Sequence, residues 1–206
     1  MLAINRPPYF DLSEIITELT IPFTKRKALV PIKTGNLTPD FTLQREHGKW
    51  QKFFNGQEVR NTILLRDIIS KPLVIAFYSQ QWKEHGLGLL KNLNAIQNEI
   101  NAVGGNLLIV SAEKEHTEKL AWDNSLSLNF YFDNSYAIAE KFRIYSDADP
   151  IWNRFSGIDV NVPLLATYII SPAKQIVYHR IEEDFNDNFQ AKDILRAVQQ
   201  SGMHIK

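Results

Sequence analysis

The sequence predicts an α/β domain with a central mixed β-sheet flanked by helices, and two patterns support that prediction. The apolar runs "PLVIAFYS" (72–79) and "NLLIVSA" (106–112) are typical of strands buried on both faces of a parallel sheet. Between them, "GLLKNLNAIQNEINAVG" (88–104) repeats apolar residues at helical spacing, which completes a right-handed βαβ unit. Near the carboxyl end, "ATYIIS" and "IVYHRIE" are joined by a short connection, which is typical of an antiparallel hairpin.

The first part of the chain is predicted to be a helical extension. In "FDLSEIITELTIPF", Ile15, Ile16 and Leu19 share one helical face, a polar cap precedes them and a proline ends the pattern. The stretch "TKRKALVPIKTGNLTPD" is rich in turn-forming residues and predicts a connector. We therefore expect two units, an N-terminal helix and connector (1–36) and the main domain (37–206).

The remaining elements are short. "FTLQREHGKWQKFF" (41–54) predicts a hairpin that turns at His47 and Gly48, and "TILLRDIIS" predicts a short helix or turn. After the βαβ unit, the pattern predicts a helix, a short strand and another helix in "HTEKLAWDNSL", "NFYFD" and "SYAIAEKF". A last helix, "NFQAKDILRAVQQS", follows the hairpin. A parallel βαβ unit followed by an antiparallel hairpin and a helix is the order of a thioredoxin-like fold.

Composition limits the function classes. The 206 residues carry 23 basic and 23 acidic side chains, and this balance gives no net attraction to nucleic acid or to anionic membranes. No 18-residue apolar run and no signal-peptide pattern occur, so we expect a cytoplasmic protein that binds neither nucleic acid nor membrane. The chain has no cysteine, which excludes thiolate nucleophiles, disulfide exchange and iron–sulfur clusters held by cysteine.

Three ordered motifs carry a family resemblance. "TPDFTL", "PLVIAFYSQQW" and "ATYIISPAKQIVYHRIEEDFND" together resemble the alkyl hydroperoxide reductase and thiol-specific antioxidant (AhpC/TSA) family, the peroxiredoxins. The most similar branch has an active loop of the form F-Y-R-G-x-W-C-P-Y-C. The resemblance covers roughly residues 37–200 and implies the peroxiredoxin type of thioredoxin-like fold.

The same resemblance locates the family's active loop and shows that its sulfurs are absent. Phe77, Tyr78 and Trp82 match the motif, so the peroxidatic cysteine falls on Lys83 and the second cysteine on Gly86. Other positions depart from the pattern as well, at Ser79, Gln80, Glu84, His85, Leu165 (for a proline) and Asn188 (for an arginine). The resemblance therefore implies a vestigial active-site loop, comprising Tyr78, Gln80, Trp82, Lys83, Glu84, His85 and Gly86, together with Leu165 and Asn188.

These departures indicate a protein without thiol peroxidase activity that acts as a binding or interaction module. Neither an ammonium nor a glycine can be oxidised to a sulfenic acid and returned. We expect no cofactor and a protein or small-molecule partner, with a concave apolar pocket around Tyr78, Trp82 and Leu165. A homodimer is a further expectation. The alternative is the activity that the resemblance implies, an antioxidant oxidoreductase.

A second alternative is a non-thiol enzyme with a metal site. The loops after the two parallel strands end at the same sheet edge, which would bring His85, Glu113 and His116 together beside Glu84. Two imidazoles and a carboxylate can hold zinc or another divalent ion, although nearby lysines oppose a cation.

Two further arrangements involve the same loops. Ser79 and Ser111 could act as a nucleophile with His85 or His116 and Glu113, but no G-x-S-x-G elbow accompanies them. Lys83 could act as an amine nucleophile, although a solvated salt bridge to a nearby glutamate is the simpler expectation.

Overall fold

A mixed β-sheet lies at the centre of this computed structural model, which describes residues 28–50, 62–185 and 189–202. Among the described residues, six strands pair in the order β2-β6-β5-β4-β7-β8, and β1 pairs with β3 in a separate two-stranded sheet. The strands are β1 (Thr42–Leu43), β2 (Gly48–Lys49), β3 (Ile63–Leu64), β4 (Leu73–Tyr78), β5 (Asn106–Ser111), β6 (Phe130–Phe132), β7 (Ala166–Ile170) and β8 (Ile176–Ile181). The predicted mixed sheet flanked by helices is confirmed.

The strand directions follow from the connections between them. β4, β5 and β6 are parallel and are joined by helices, whereas β7 runs antiparallel to β4 and β8 runs antiparallel to β7. The βαβ unit and the carboxyl-terminal hairpin are therefore both present. All six residues of β4 are buried, which explains why its sequence is a continuous apolar run rather than an alternating one.

Helices cover the sheet, and their bounds are α1 (Leu65–Ile68), α2 (Lys83–Ala102), α3 (Lys114–Asp123), α4 (Ala137–Lys141) and α5 (Ala191–Gly202). α2 and α5 pack against each other on one face of the sheet. On the other face, the ring of Phe142, just after α4, lies 5.1 Å from that of Phe77 and 5.0 Å from that of Tyr168. No helix in the described ranges is both long and apolar enough to cross a membrane.

The prediction of a hairpin over residues 41–54 is wrong. β1 pairs with β3, while β2 pairs with β6 at the edge of the main sheet, and a short 3₁₀ helix separates β1 from β2. The two arms therefore have different partners, although part of the predicted hairpin lies outside the described residues. The stretch predicted as a short helix or turn forms β3 and α1.

The described part of the predicted connector packs against the main domain. The main-chain N–H of Gly35 donates to Ile176 at 2.8 Å, and the N–H of Ile176 donates to Asn36 at 2.9 Å, so this segment lies along the start of β8. Ile32 is buried in the core. The helix predicted before residue 23 lies outside the described residues, and the boundary near residue 37 stays a prediction.

Candidate functional site

The loop that the sequence singled out lies at the carboxyl edge of the parallel strands. β4 ends at Tyr78, which pairs in register with Ser111 at the end of β5. A 3₁₀ turn over residues 80–82 follows β4, and α2 begins at Lys83. Both βα junctions therefore meet at one edge of the sheet, the usual place for ligands in α/β folds.

Glu113 connects the two junctions through hydroxyl groups. The Ser79 hydroxyl donates to one carboxylate oxygen of Glu113 at 2.6 Å, and the Ser111 hydroxyl donates to the other at 2.9 Å. Ser111 also shares a hydrogen bond of 3.0 Å with Thr117 in α3. The carboxylate of Glu113 therefore cross-links the ends of β4 and β5. Each serine hydroxyl donates its proton to this carboxylate, so that proton is not directed at a histidine, as a serine nucleophile would require.

Tyr78 lies beneath this network in a buried position. Burial raises the pKa of Tyr78 to about 12, with a further contribution from the charge of Glu113. Its phenol therefore stays protonated at neutral pH. A methyl group added at Gly86, one turn into α2, would lie 2.8 Å from the Tyr78 ring, so the helix approaches the strand closely because Gly86 has no side chain.

Trp82 fills the space at the start of α2. Its side chain is 1 % exposed, and its indole N–H donates to the Pro163 carbonyl at 2.9 Å. The ring contacts Phe155 edge-on at 4.9 Å between centroids, and Phe185 lies 5.8 Å away. Because the polar N–H is satisfied and the side chain is almost fully buried, Trp82 is a core residue of the loop.

His85 belongs to the same group of rings. Its imidazole lies 4.8 Å from Phe185, and Phe185 lies 5.1 Å from Phe155. We call Trp82, His85, Phe155 and Phe185 the aromatic cluster. It lies at the start of α2, since Trp82 directly precedes that helix and His85 is in its first turn.

Lys83, where the resemblance places the peroxidatic cysteine, is exposed and has an unusual backbone. Its φ of +47° and ψ of −127° lie in a region that residues other than glycine rarely adopt. Its Nζ donates to the Gly157 carbonyl at 3.4 Å. Between the described residues no ion pair joins Lys83 to Glu84 or to Glu113, so the expected salt bridge is replaced by this contact with a main-chain oxygen.

The other members of the vestigial loop have ordinary positions. Gln80 is half-buried in the 3₁₀ turn, and Glu84 is exposed in the first turn of α2, where a carboxylate is favoured by the helix dipole. Leu165 is buried, and its carbonyl accepts a hydrogen bond of 2.8 Å from the Glu182 N–H. Asn188 lies outside the described residues.

The candidate metal ligands do not form a ligand set. Among the described residues, no group of three or more His, Asp or Glu side chains is arranged to hold a metal ion. His85 packs on Phe185, His116 is exposed, and both oxygens of Glu113 accept hydrogen bonds from serines. The topology brings the two loops together as expected, but their side chains have other partners.

The apolar pocket expected around Tyr78, Trp82 and Leu165 stays a prediction, and a larger groove lies beside the loop. The cavity next to Leu165 holds only about 10 Å³, enough for about one water molecule. A larger groove of about 710 Å³ lies between the connector (28–33), the loop at 149–155 and the end of β8, with Phe155 shared with the aromatic cluster. We call this the β8 groove.

Sequence reasoning missed the residues of this groove. Phe155 and Arg154 lie in a segment without helical or strand periodicity, so no pattern marked them. His179 lies on β8, where its Nδ1 accepts from the Thr34 N–H at 3.2 Å and lies 2.8 Å from the Thr34 hydroxyl. The alternation along β8 was the only signal available, and it does not identify a contact with a distant segment.

Comparisons with known proteins agree with this geometry. The profile of the AhpC/TSA family matches residues 34–179. No curated protein matches the chain. Among solved structures, the peroxidoxin BcpB from Mycobacterium tuberculosis is 15 % identical with a TM-score of 0.58, over 85 % of this chain and 99 % of that one.

Two further structures have the same fold. AhpC from Mycobacterium tuberculosis is 11 % identical with a TM-score of 0.61, over 86 % of this chain and 97 % of its own. AhpC from Enterococcus faecalis is 16 % identical with a TM-score of 0.57, over 86 % and 94 % of the two chains. The fold is therefore thioredoxin-like, of the peroxiredoxin type.

Proposed function

Because this chain belongs to the AhpC/TSA family and has no cysteine, we propose that it is a binding module that keeps the family's fold without thiol peroxidase activity. The observation that carries the proposal is the residue at the catalytic position. Peroxide reduction by a thiol needs a thiolate that attacks the O–O bond and becomes a sulfenic acid. Lys83 offers an ammonium there, which has no electron pair to donate while it is protonated.

The packing of the loop supports the same conclusion. The aromatic cluster lies over the start of α2, and the Trp82 side chain is held by the Pro163 carbonyl. Gly86, at the second cysteine position, is in close contact with Tyr78. The loop is thus a well-packed part of the core, as expected for a scaffold whose catalytic group has been lost.

The β8 groove is the surface we assign to binding. Among the described residues that line it, apolar and charged side chains occur in similar measure, and the basic residues (Lys33, Arg154, Arg180) equal the acidic residues (Asp149, Glu182, Glu183) in number. A groove of balanced charge favours a neutral partner, such as a polypeptide segment or a polar small molecule, over nucleic acid. We place this activity in the cytoplasm, and a homodimer is compatible with it.

Peroxide consumption by the purified protein tests the proposal. With reduced thioredoxin or dithiothreitol supplied, we expect wild type and Lys83→Ala to consume peroxide no faster than protein-free buffer. A cysteine-containing AhpC measured in parallel shows that the assay works. The metal content of the same sample is determined, because a bound metal is the remaining source of peroxide chemistry in a chain without sulfur nucleophiles.

Each outcome separates the alternatives. Peroxide consumption lost in Lys83→Ala would make the protein an oxidoreductase that uses the lysine amine. Consumption that persists in Lys83→Ala and disappears with a chelator would point to a metal site. Either result overturns the binding-module proposal.

A further inference from the structure

The described part of the connector is attached to the domain by hydrogen bonds of different kinds. The Leu29 N–H donates to a carboxylate oxygen of Asp149 at 2.8 Å, and the Gly35 N–H donates to the main-chain oxygen of Ile176 at 2.8 Å. Between these two points, the Thr34 N–H donates to the imidazole of His179. Of these three acceptors, the imidazole is the one whose charge changes near neutral pH.

The contact between Thr34 and His179 specifies the state of the ring. The Thr34 N–H can only donate, so the Nδ1 that receives it at 3.2 Å carries a lone pair, and a neutral ring has its proton on Nε2. A protonated ring has an N–H at both nitrogens, so Nδ1 could no longer accept from the main chain. The Thr34 hydroxyl oxygen, 2.8 Å from Nδ1, could accept from that new N–H instead.

The surroundings of His179 favour the neutral ring. Burial lowers the pKa of His179, the charge of Lys33 on the connector lowers it further, and Glu183 just after β8 opposes the shift. Tyr168, its cross-strand neighbour on β7, stays protonated because burial raises the pKa of the phenol. The other charged groups that line the groove form two ion pairs, Asp149 with Arg154 and Arg180 with Glu182.

We propose that His179 is a proton-controlled attachment point for the connector. The neutral imidazole binds the main-chain N–H of Thr34, whereas protonation frees this N–H and places a positive charge beside Lys33. The bonds of Leu29 and Gly35 do not depend on this proton, so the change is confined to the connector residues between them.

Protonation of His179 also changes the charge of the β8 groove. The described residues of its lining include three basic and three acidic side chains, so a charged His179 gives this lining a net positive charge. Lys33 then lies beside a like charge, which weakens the hold on the connector further. An acidic partner should therefore bind more tightly at lower pH. This consequence for binding rests on the proposed function, whereas the protonation of His179 does not.

An NMR titration of the full chain from pH 8 to pH 5 tests the proposal. We expect the amide signal of Thr34 and the ring signals of His179 to titrate with the same midpoint, below 6.5. Protection of the Thr34 amide from hydrogen exchange should fall by about fivefold across that midpoint, which corresponds to the net worth of one hydrogen bond. The amides of Leu29 and Gly35 should keep their protection.

Substitutions at residue 34 give a matched pair. Thr34→Val removes the hydroxyl that accepts from the protonated ring, and a bond to a charged group is about twice as strong as a neutral one. We therefore expect the midpoint of His179 to be lower in Thr34→Val than in wild type. Thr34→Ser keeps the hydroxyl and should keep the wild-type midpoint. Amide dispersion in each variant shows that the domain remains folded.

His179→Asn separates the imidazole from other titrating groups. Asparagine offers an oxygen acceptor without a titrating proton, so the Thr34 signal should not move between pH 8 and pH 5 in this variant. Three results would overturn the inference: an equal shift of Thr34 in His179→Asn, unchanged Thr34 protection in wild type, or a midpoint above 6.5. Peroxide consumption does not involve His179, so failure of the proposed function remains distinguishable.

Discussion

Lys83 combines two departures from what its position requires. It is the residue predicted to replace the family's catalytic cysteine, and its backbone has φ +47° and ψ −127°. For a residue with a Cβ such a conformation costs about 1–3 kcal/mol, whereas glycine adopts it freely. The strained backbone is therefore a property of the loop's geometry, and it is present although the residue at this position has no thiol.

The strained backbone at Lys83 predicts that glycine is more stable than alanine there, the reverse of the order expected within a helix. We expect Lys83→Gly to be more stable than Lys83→Ala by about 1 kcal/mol, because glycine relieves the strained backbone. At Lys91, an exposed residue within α2, alanine should instead be favoured over glycine by about 1 kcal/mol. Urea denaturation of the four variants measures both differences. Alanine being preferred at both positions would contradict the strain.

Part of the site was predictable residue by residue, and part was not. Lys83 and Gly86 follow from a local motif, because the spacing from Trp82 is fixed within one stretch of sequence. The hydrogen bond between Ser79 and Glu113 joins two loops, and the predicted topology indicated only that these two loops lie close together. The contact of Trp82 with Phe155 depends on side-chain packing between distant segments, which leaves no periodic signal.

Within the helix α2, two glycines have different surroundings. A Cβ at Gly86 would lie 2.8 Å from the buried Tyr78 ring and 3.0 Å from the Cβ of Trp82, whereas a Cβ at Gly88 would have nothing within 4 Å. Gly86 therefore fixes how closely α2 approaches β4. Gly88 has no such role, and there glycine only lowers helix propensity.

Alanine substitutions should separate these two effects. We expect Gly86→Ala to lower the free energy of unfolding by about 1–2 kcal/mol, because overpacking costs about 1–3 kcal/mol and outweighs the helix propensity gained. Gly88→Ala should raise it by up to about 1 kcal/mol. Chemical denaturation measures both, and a gain in both variants would show that the helix can move away from Tyr78. By the same contact, Gly86→Cys would not restore the family's second cysteine without rearrangement.

The elements differ in how well their sequences specify them. β4 and β5 were predicted because six consecutive buried positions in β4 and five in β5 give long apolar runs. β1 and β2 have two residues each, too few to show a period, and their partners β3 and β6 are set by the tertiary structure. The false hairpin arose because the chain does turn, in the 3₁₀ helix just before Gly48, but the strand that follows pairs with β6 rather than with β1.

At the scale of the whole molecule, titratable groups attach the connector to the domain. The Nδ1 of His179, on β8, accepts a hydrogen bond from the Thr34 N–H, and a carboxylate oxygen of Asp149 accepts one from the Leu29 N–H. Burial lowers the pKa of His179, the charge of Lys33 lowers it further, and Glu183 opposes the shift. Burial alone would raise the pKa of Asp149, but hydrogen bonds from Leu29, Arg154 and Asn153 hold it below its usual value.

These shifts predict how stability depends on pH. An unfolded histidine has a pKa of about 6.5, so the stability contributed by neutral His179 is fully present above that pH and is lost as pH falls through the lower folded value. The stability contributed by ionised Asp149 is lost only as the pH falls below about 4. We expect the free energy of unfolding to fall more steeply between pH 8 and pH 5 in wild type than in His179→Asn. Equal slopes in urea denaturation would contradict the assignment.

The fold as a whole was predictable, whereas the groove was not. The order of strands and helices along the sequence limits the topology to a few arrangements, and the right-handed crossover selects among them. The β8 groove is formed by three segments, at 28–33, 149–155 and 179–183, of which the first lies more than a hundred residues before the other two. Its shape depends on how these segments pack, which no local pattern records.

The strands at the two ends of the main sheet have a consequence for self-association. An exposed edge strand is a template on which other chains can add and form aggregates. β2 is only two residues long, and the beginning of β8 is already paired with residues 35 and 36 of the connector. The shortness of β2 and the pairing of the connector with the first residue of β8 reduce the edge backbone on which a fibre could grow, so the arrangement that anchors the connector also covers part of the sheet edge.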